Sequence, residues 1–112
     1  MEYDVVIVGG GPSGLATAIK LKQLQSDLNV CILEKGPEVG AHILSGNVFE
    51  IRALDELLPK WKEEGAPIKT KISKEKFLFL SKNKSLSWPT WLLPSVQKNH
   101  NNYIISLANL CR

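Results

Sequence analysis

The run "VVIVGGGPSGLATA", residues 5–18, constrains this chain more than any other stretch. Residues 3–8, "YDVVIV", are β-branched and nearly continuous in apolar character, as in an interior strand of a parallel sheet. Gly9, Gly11 and Gly14 then form G-x-G-x-x-G. From Ser13 onward Leu15, Ala18, Ile19 and Leu21 recur at helical spacing, with Lys20, Lys22 and Gln23 left to face solvent. Pro12 falls in the first helical turn, where its missing N–H costs little. The helix is expected to stop before Asn29, and "NVCILE", residues 29–34, reads as a second buried strand. The pattern is β-α-β, with the right-handed crossover that sheet chirality imposes.

In that context each glycine has its own task. Gly9 permits the tight turn, Gly11 lets the backbone approach a pyrophosphate, and Gly14 lets helix and strand pack closely. The helix amino terminus offers unpaired N–H groups to phosphate oxygens. A bare G-x-G-x-x-G is weak; this one gains specificity from its strand-turn-helix setting and from Glu34 at the end of the next strand. Glu34 follows Gly14 by twenty residues and is placed to accept hydrogen bonds from the ribose hydroxyls of an adenosine. Its charge opposes a 2′-phosphate, which leaves FAD and NAD. The plainer alternative is a tight turn with a solvated glutamate at the strand end.

A NAD-binding half would soon enter another helix. Residues 35–49, "KGPEVGAHILSGNVF", are instead rich in glycine and poor in helix signal. They read as a loop passing close to a large, extended ligand, with Gly40 and Gly46 allowing the approach. Ser45 presents a hydroxyl either to a phosphate or ring edge or to a local turn cap. A surface loop that needs positive φ at its glycines is the competing explanation.

Past Gly46 a helix is expected over residues 50–58, with Ile51, Leu54 and Leu58 on one face and Pro59 ending it. "KFLFLSKNKSLSW" reads as a hairpin turning at "KNK", and Pro89 and Pro94 mark irregular chain around two tryptophans. "YIISLANLCR" starts as a strand and becomes a helix near Ser106 or Leu107. A β-α-β unit needs neighbouring strands to cover its sheet edges. The expected class is therefore α/β: a Rossmann-like β-α-β unit (3–34), a ligand-lining segment (35–49) and a helix-and-hairpin region (50–112). The expectation is an incomplete domain, the opening piece of a larger chain.

Composition narrows the function classes. Apolar content of 44% and charged content of 22% are globular values, and no apolar stretch is long enough to span a membrane. With Met1 as the start, the chain enters its first strand too early for a signal or transit segment. Residues 1–40 carry three bases and five acids, whereas residues 41–112 carry eleven bases and six acids. Most of the surplus is lysine between Lys60 and Lys84. Without interleaved arginines and aromatics this is a solvated face and not a nucleic-acid groove; a patch for an acidic partner or a membrane surface is the alternative. Cys31 and Cys111 stand eighty residues apart, forming neither a disulfide framework nor a metal site. Cys31 is expected to be a buried strand thiol. His42 and His100 are isolated, with no ligand cluster around either.

Several stretches together resemble the amino-terminal part of electron transfer flavoprotein–ubiquinone oxidoreductases. They are "DVVIVGGGPSGLATAIKLKQL", "VCILEKGPEVGAHILSGNVFEIRALDELLPKWKEEGAPI", "KFLFLSKNKSLSWP" and "NHNNYIISLANLCR". The glycine fingerprint is shared with many flavoproteins; "EKGPEVGAHILSG" and "RALDELLPKWKEEGAP" are far more particular. The resemblance implies an FAD-binding fold in which Gly9, Gly11, Gly14 and Glu34 hold the ADP half. Pro12 and Ser13 at the helix start and Lys35 beside Glu34 complete that part of the candidate set. The loop from Gly40 to Gly46 would run toward the flavin, lined by His42, Ile43, Leu44 and Ser45. One departure is Asn101, where the family usually has glycine; asparagine also tolerates the left-handed conformation.

The resemblance further implies electron transfer from reduced electron transfer flavoprotein, through FAD and one 4Fe-4S cluster, to ubiquinone. The family's enzymes lie peripherally on a membrane, at a bacterial cytoplasmic-membrane face or the mitochondrial inner membrane. The cluster ligands lie elsewhere in the family, so Cys31 and Cys111 are not assigned to it. No acid–base or nucleophilic dyad is required, because the cofactors carry the electron chemistry, and no catalytic residue is assigned. An FAD-dependent reductase or monooxygenase of the geranylgeranyl-reductase type would share the glycine loop and Glu34. An inactive truncated product is the non-enzymatic alternative.

Overall fold

A computed structural model describes residues 2–99 and 101–112, so His100 lies outside the described residues. The chain runs β1 (Val5–Val8), α1 (Pro12–Leu24), β2 (Val30–Leu33), β3 (Ser45–Phe49), α2 (Arg52–Leu57), β4 (Thr70–Lys71), β5 (Phe77–Leu80), β6 (Ser85–Trp88), β7 (Tyr103–Ser106) and α3 (Leu107–Cys111). Short 3-10 turns at Thr90–Leu92 and Ser95–Gln97 follow Pro89 and Pro94.

β1 and β2 pair in parallel, Val5 opposite Val30 and Val8 opposite Leu33, with α1 as the crossover. Gly9 N–H extends the ladder by donating to Leu33 O at 2.7 Å. α1 turns Leu15, Ala18, Ile19 and Leu21 inward to half-burial and leaves Lys20, Lys22 and Gln23 exposed, as the spacing demands. Both strands are shorter than the sequence pattern implies, and β1 alternates between half-buried and exposed positions. Val8 is 83% exposed. The expectation of a doubly covered strand therefore fails within these residues, because this sheet has only two strands and each is an edge. Cys31, expected to be buried, is half-buried for the same reason.

The core lies elsewhere. β3, β7 and β4 form an antiparallel sheet in that order, with Phe49 opposite Tyr103 and Thr70 opposite Ile104. Trp61, Ile68 and Ile105 are buried together under it, with Phe49, Ile51, Leu54, Leu58, Tyr103 and Leu107 packed around them. Trp61 meets Tyr103 edge-on at 6.3 Å, and its Nε1–H donates to Asp55 Oδ1 at 2.5 Å. α2 is shorter than the expected 50–58, because Ile51 is its N-cap and Leu58, before Pro59, its C-cap.

Residues 45–49, expected as loop, are strand. Ser45 pairs with Ser106 and the register shifts between Ser45 and Asn47. The pairing partner lies almost sixty residues away, so no local signal announced it. The hairpin β5–β6 forms as expected, closed by Ser81 N–H to Lys84 O across "KNK". β7 passes directly into α3, whose N-cap Ser106 accepts from Asn109 N–H at 3.4 Å. Asn101 takes φ 72°, a left-handed conformation that asparagine tolerates.

The molecule is extended, 62 × 29 × 23 Å with a radius of gyration of 18.2 Å; a compact domain of this length has one of about 13 Å. Leu80, Leu86, Trp91 and Val96 stand exposed on and beyond the hairpin, and the eight lysines from Lys60 to Lys84 are all solvated. Among the described residues no helix is long and apolar enough to cross a membrane.

Candidate dinucleotide site

The β1–α1 turn is built by contact as well as by conformation. Gly9 has φ +104°, open to glycine and strained for any side chain. A Cβ on Gly14 would lie 2.0 Å from Gly9 O and 3.3 Å from Ile7 Cγ2, so the helix start approaches the turn and β1 too closely for a side chain there. Around Gly11 the opposite holds: a Cβ there would meet nothing within 4 Å. That open space is where a ligand backbone would approach.

α1 begins with Gly11 as N-cap and Pro12 next, and no side chain caps it. The first intrahelical bond is Leu15 N–H to Gly11 O at 3.0 Å, so the amides of Ser13 and Gly14 precede the helix ladder. With the partial positive charge of a thirteen-residue helix behind them, they suit an anion.

Glu34 stands just past β2 and bridges two glycine segments. Its Oε2 accepts from Gly10 N–H and its Oε1 from Gly36 N–H, both at 2.7 Å. The Gly36 amide, then the Gly10 amide, hold the carboxyl below its ordinary value of 4.5; His42 and the Lys35 amide lower it by less, and partial desolvation opposes them. A carboxylate offers about four lone-pair sites. One on each oxygen therefore remains for a vicinal pair of hydroxyls, so the two amides orient the acceptor without exhausting it.

This sets a pH dependence. The folded pKa is depressed, so the clasp contributes fully above the ordinary value of 4.5 and is lost as pH falls through the lower folded value. Amide chemical shifts of Gly10 and Gly36 followed against pH should stay constant to below that ordinary value and then move together. A transition above it would show that the two amides do not hold the carboxylate.

Gly10 and Gly36 were not singled out by sequence. A Cβ on Gly10 would lie 3.1 Å from Glu34 Oε2 and 3.3 Å from Val39 Cγ2; one on Gly36 would lie 3.1 Å from Glu34 Oε1 and 3.4 Å from His42 Cε1. The available signal was a glycine two residues beyond a strand-end glutamate. His42 thus sits beside the carboxylate, together with the glycine turn. Lys35 is exposed between Glu34 and Gly36.

The remaining candidates divide. Gly40 (φ +83°) is buried against α3, where a Cβ would be 2.8 Å from Ala108 O. Ile43 is half-buried and donates its N–H to Gly40 O at 3.1 Å, whereas Leu44 is 81% exposed. Ser45 and Gly46 (φ +75°) belong to β3, so the segment expected to be a single ligand-lining loop ends at Leu44. Pro12 and Ser13 also border an apolar cavity of about 350 Å³ between α1, α2 and α3, lined by Leu54, Leu57, Leu110 and Cys111 among others. Burial pushes the Cys111 thiol up, away from thiolate chemistry. Among the described residues no cluster of three or more His, Cys, Asp or Glu is arranged to hold a metal.

Residues 7–58 match the family model described as an NAD(P)-binding Rossmann-like domain. The chain is 59% identical over 116 aligned positions, covering all of it, to the mitochondrial electron transfer flavoprotein-ubiquinone oxidoreductase of Oryza sativa subsp. japonica. It is 56% identical, over 99% of its length, to the mitochondrial protein of the same name from Dictyostelium discoideum. It is 54% identical, over all of it, to the probable electron transfer flavoprotein-ubiquinone oxidoreductase of Acinetobacter baylyi. The chain spans about a fifth of the length of these relatives: 19%, 18% and 21% respectively.

Proposed function

Because this chain belongs to the electron transfer flavoprotein–ubiquinone oxidoreductase family, as an amino-terminal segment of it, we propose that its glycine turn and Glu34 bind the ADP half of FAD. The proposed purpose is electron transfer from reduced electron transfer flavoprotein to ubiquinone. The observation that carries this reading is 59% identity in an alignment that covers the whole chain.

The residues suit the cofactor on their own chemistry. Open space at Gly11 and the uncapped start of α1 accommodate a pyrophosphate. The free lone pairs of Glu34 accommodate ribose hydroxyls and repel a 2′-phosphate. The matched model is described for NAD(P), and the ADP half is common to NAD and FAD. FAD is favoured because the chain after Glu34 forms turns and then β3 where a NAD-binding half would enter a helix. When bound, the flavin supplies one- and two-electron chemistry; the residues here bind it, orient it and set the charge around its adenosine end.

A 4Fe-4S cluster needs four cysteine thiolates, and this chain has two cysteines, so no step here runs through a cluster. Contact with ubiquinone and peripheral association with a membrane belong to the same proposal. They rest on the relatives' name and on the family resemblance.

Binding is tested by titrating the chain with FAD, NAD and NADP in a calorimeter. FAD is expected to bind at least about tenfold more tightly than NAD, and NADP to give no heat, a charged 2′-phosphate facing Glu34. Equal affinity for NADP would overturn the role given to Glu34. The electron-transfer reading is tested on the full-length protein, mixed with reduced electron transfer flavoprotein and a soluble quinone. Absence of quinone reduction by an FAD-loaded sample would reject it.

A further inference from the structure

The segment from Gly36 to His42 lies against the site at three points. Gly36 donates its N–H to Glu34 Oε1, Val39 presents Cγ2 to Gly10, and His42 Cε1 approaches Gly36 beside the same carboxylate. Such a strap has no regular structure of its own; only one internal bond, Ala41 N–H to Glu38 O at 3.2 Å, folds it back. Something outside must set its distance from the glycine turn.

That restraint comes from α3. Gly40 is buried against Ala108 with no room for a side chain. One turn further, Arg112 donates from Nε to Val39 O at 3.1 Å and from Nη2 to Glu38 Oε1 at 2.5 Å. Two donors of one planar guanidinium thus grip two consecutive residues, a geometry a lysine ammonium cannot copy. Val39 is held at its carbonyl by Arg112 while its side chain bears on Gly10.

We propose that Arg112 is a positioning residue of the dinucleotide site, acting through the 36–42 strap on Gly10, Gly36 and Glu34. This rests on the reading that the site binds FAD, and it extends the site to a helix more than seventy residues further along the chain. Arg112 does not itself touch the ligand. It fixes the wall against which Glu34 is oriented, so that removing it leaves the carboxylate present but held from one side only.

The test uses Arg112→Ala and Arg112→Lys in the full chain, with two readouts. The first is the dissociation constant for FAD; the second is amide hydrogen exchange at Gly10 and Gly36 without nucleotide. Both partners are substantially exposed (side chains 44% and 61%), which keeps the effect modest: FAD affinity is expected to fall about threefold to fivefold in Arg112→Ala. Gly36 exchange should quicken by a similar factor at unchanged thermal midpoint, with Arg112→Lys between alanine and the parent.

A lower midpoint with FAD affinity and Gly36 exchange unchanged would make Arg112 merely structural and overturn the proposal. Lost affinity with Gly36 exchange unchanged would also overturn it, since the arginine would then act other than through the strap. If the parent chain binds no FAD while Arg112→Ala still quickens Gly36 exchange, the cofactor reading fails and the mechanical coupling stands.

Discussion

Gly14→Ala should cost this protein both stability and its nucleotide, whereas Gly11→Ala, the same methyl three residues earlier, should cost only the nucleotide. At Gly14 the new Cβ would lie 2.0 Å from Gly9 O. The obstacle is backbone, so no rotamer change relieves it, and α1 must move off β1. Overpacking of this kind costs about 1–3 kcal/mol, and contact with a fixed carbonyl puts it near the upper end. The displaced helix start then no longer presents its amides where the turn places them, and FAD affinity should fall by about a hundredfold, the equivalent of ~2.8 kcal/mol.

At Gly11 nothing lies within 4 Å of the added Cβ, and φ −79° suits alanine. Alanine at an N-cap costs less than about 1 kcal/mol relative to glycine. The methyl instead enters the open space where the proposed pyrophosphate would sit. Denaturant midpoints and FAD titrations on the two variants separate the effects. If Gly11→Ala binds FAD like the parent, the phosphate does not sit on this turn.

Trp61→Ala should be the most damaging single change to the fold. Trp61 is 3% exposed, the bulkiest member of a small buried cluster with Ile68 and Ile105. It meets Tyr103 of β7 edge-on and ties α2 to the following turn through Nε1–H to Asp55. Removing so large an aromatic costs about 3–5 kcal/mol, against a total of about 5–15 kcal/mol for an ordinary domain. With only four buried hydrophobic residues among those described, this chain lies at the lower end, so the alanine variant should be largely unfolded.

Trp61→Phe keeps the packing and loses the indole bond. Asp55 is exposed and recovers water, which limits that loss to about 1 kcal/mol. Circular dichroism in a urea series measures both. An alanine variant within about 1 kcal/mol of the parent would place the stabilising core elsewhere than under the β3–β7–β4 sheet. The damage should reach the site as well, since α3 packs on this core through Leu107 and Leu110 and carries Ala108 against Gly40.

Much of this was legible locally. Strand, turn and helix over residues 5–24, the hairpin turning at Lys82–Lys84 and the passage from strand to helix at Ser106–Leu107 each follow from a few neighbouring residues. Periodicity, turn chemistry and glycine geometry act over such distances. The local geometry of the candidate site was legible for the same reason: G-x-G-x-x-G and a glutamate twenty residues on encode a turn, a helix start and an acceptor.

Tertiary structure alone decided the rest. Residues 45–49 became a strand because β7, nearly sixty residues later, offers a partner; glycine and asparagine within that run hid it. β1 and β2 read as interior strands yet stand at edges, because coverage depends on what packs beside them and not on their own composition. The amides that hold Glu34 belong to Gly10 and Gly36, and the strap that carries Gly36 is gripped from α3 by Arg112. An arginine so far along the chain shows no periodicity or spacing relative to a glycine turn. Its contact with Glu38 and Val39 of the strap exists only once the chain has closed, since hydrogen bonds and close packing act over a few ångströms of space, whatever the separation in sequence.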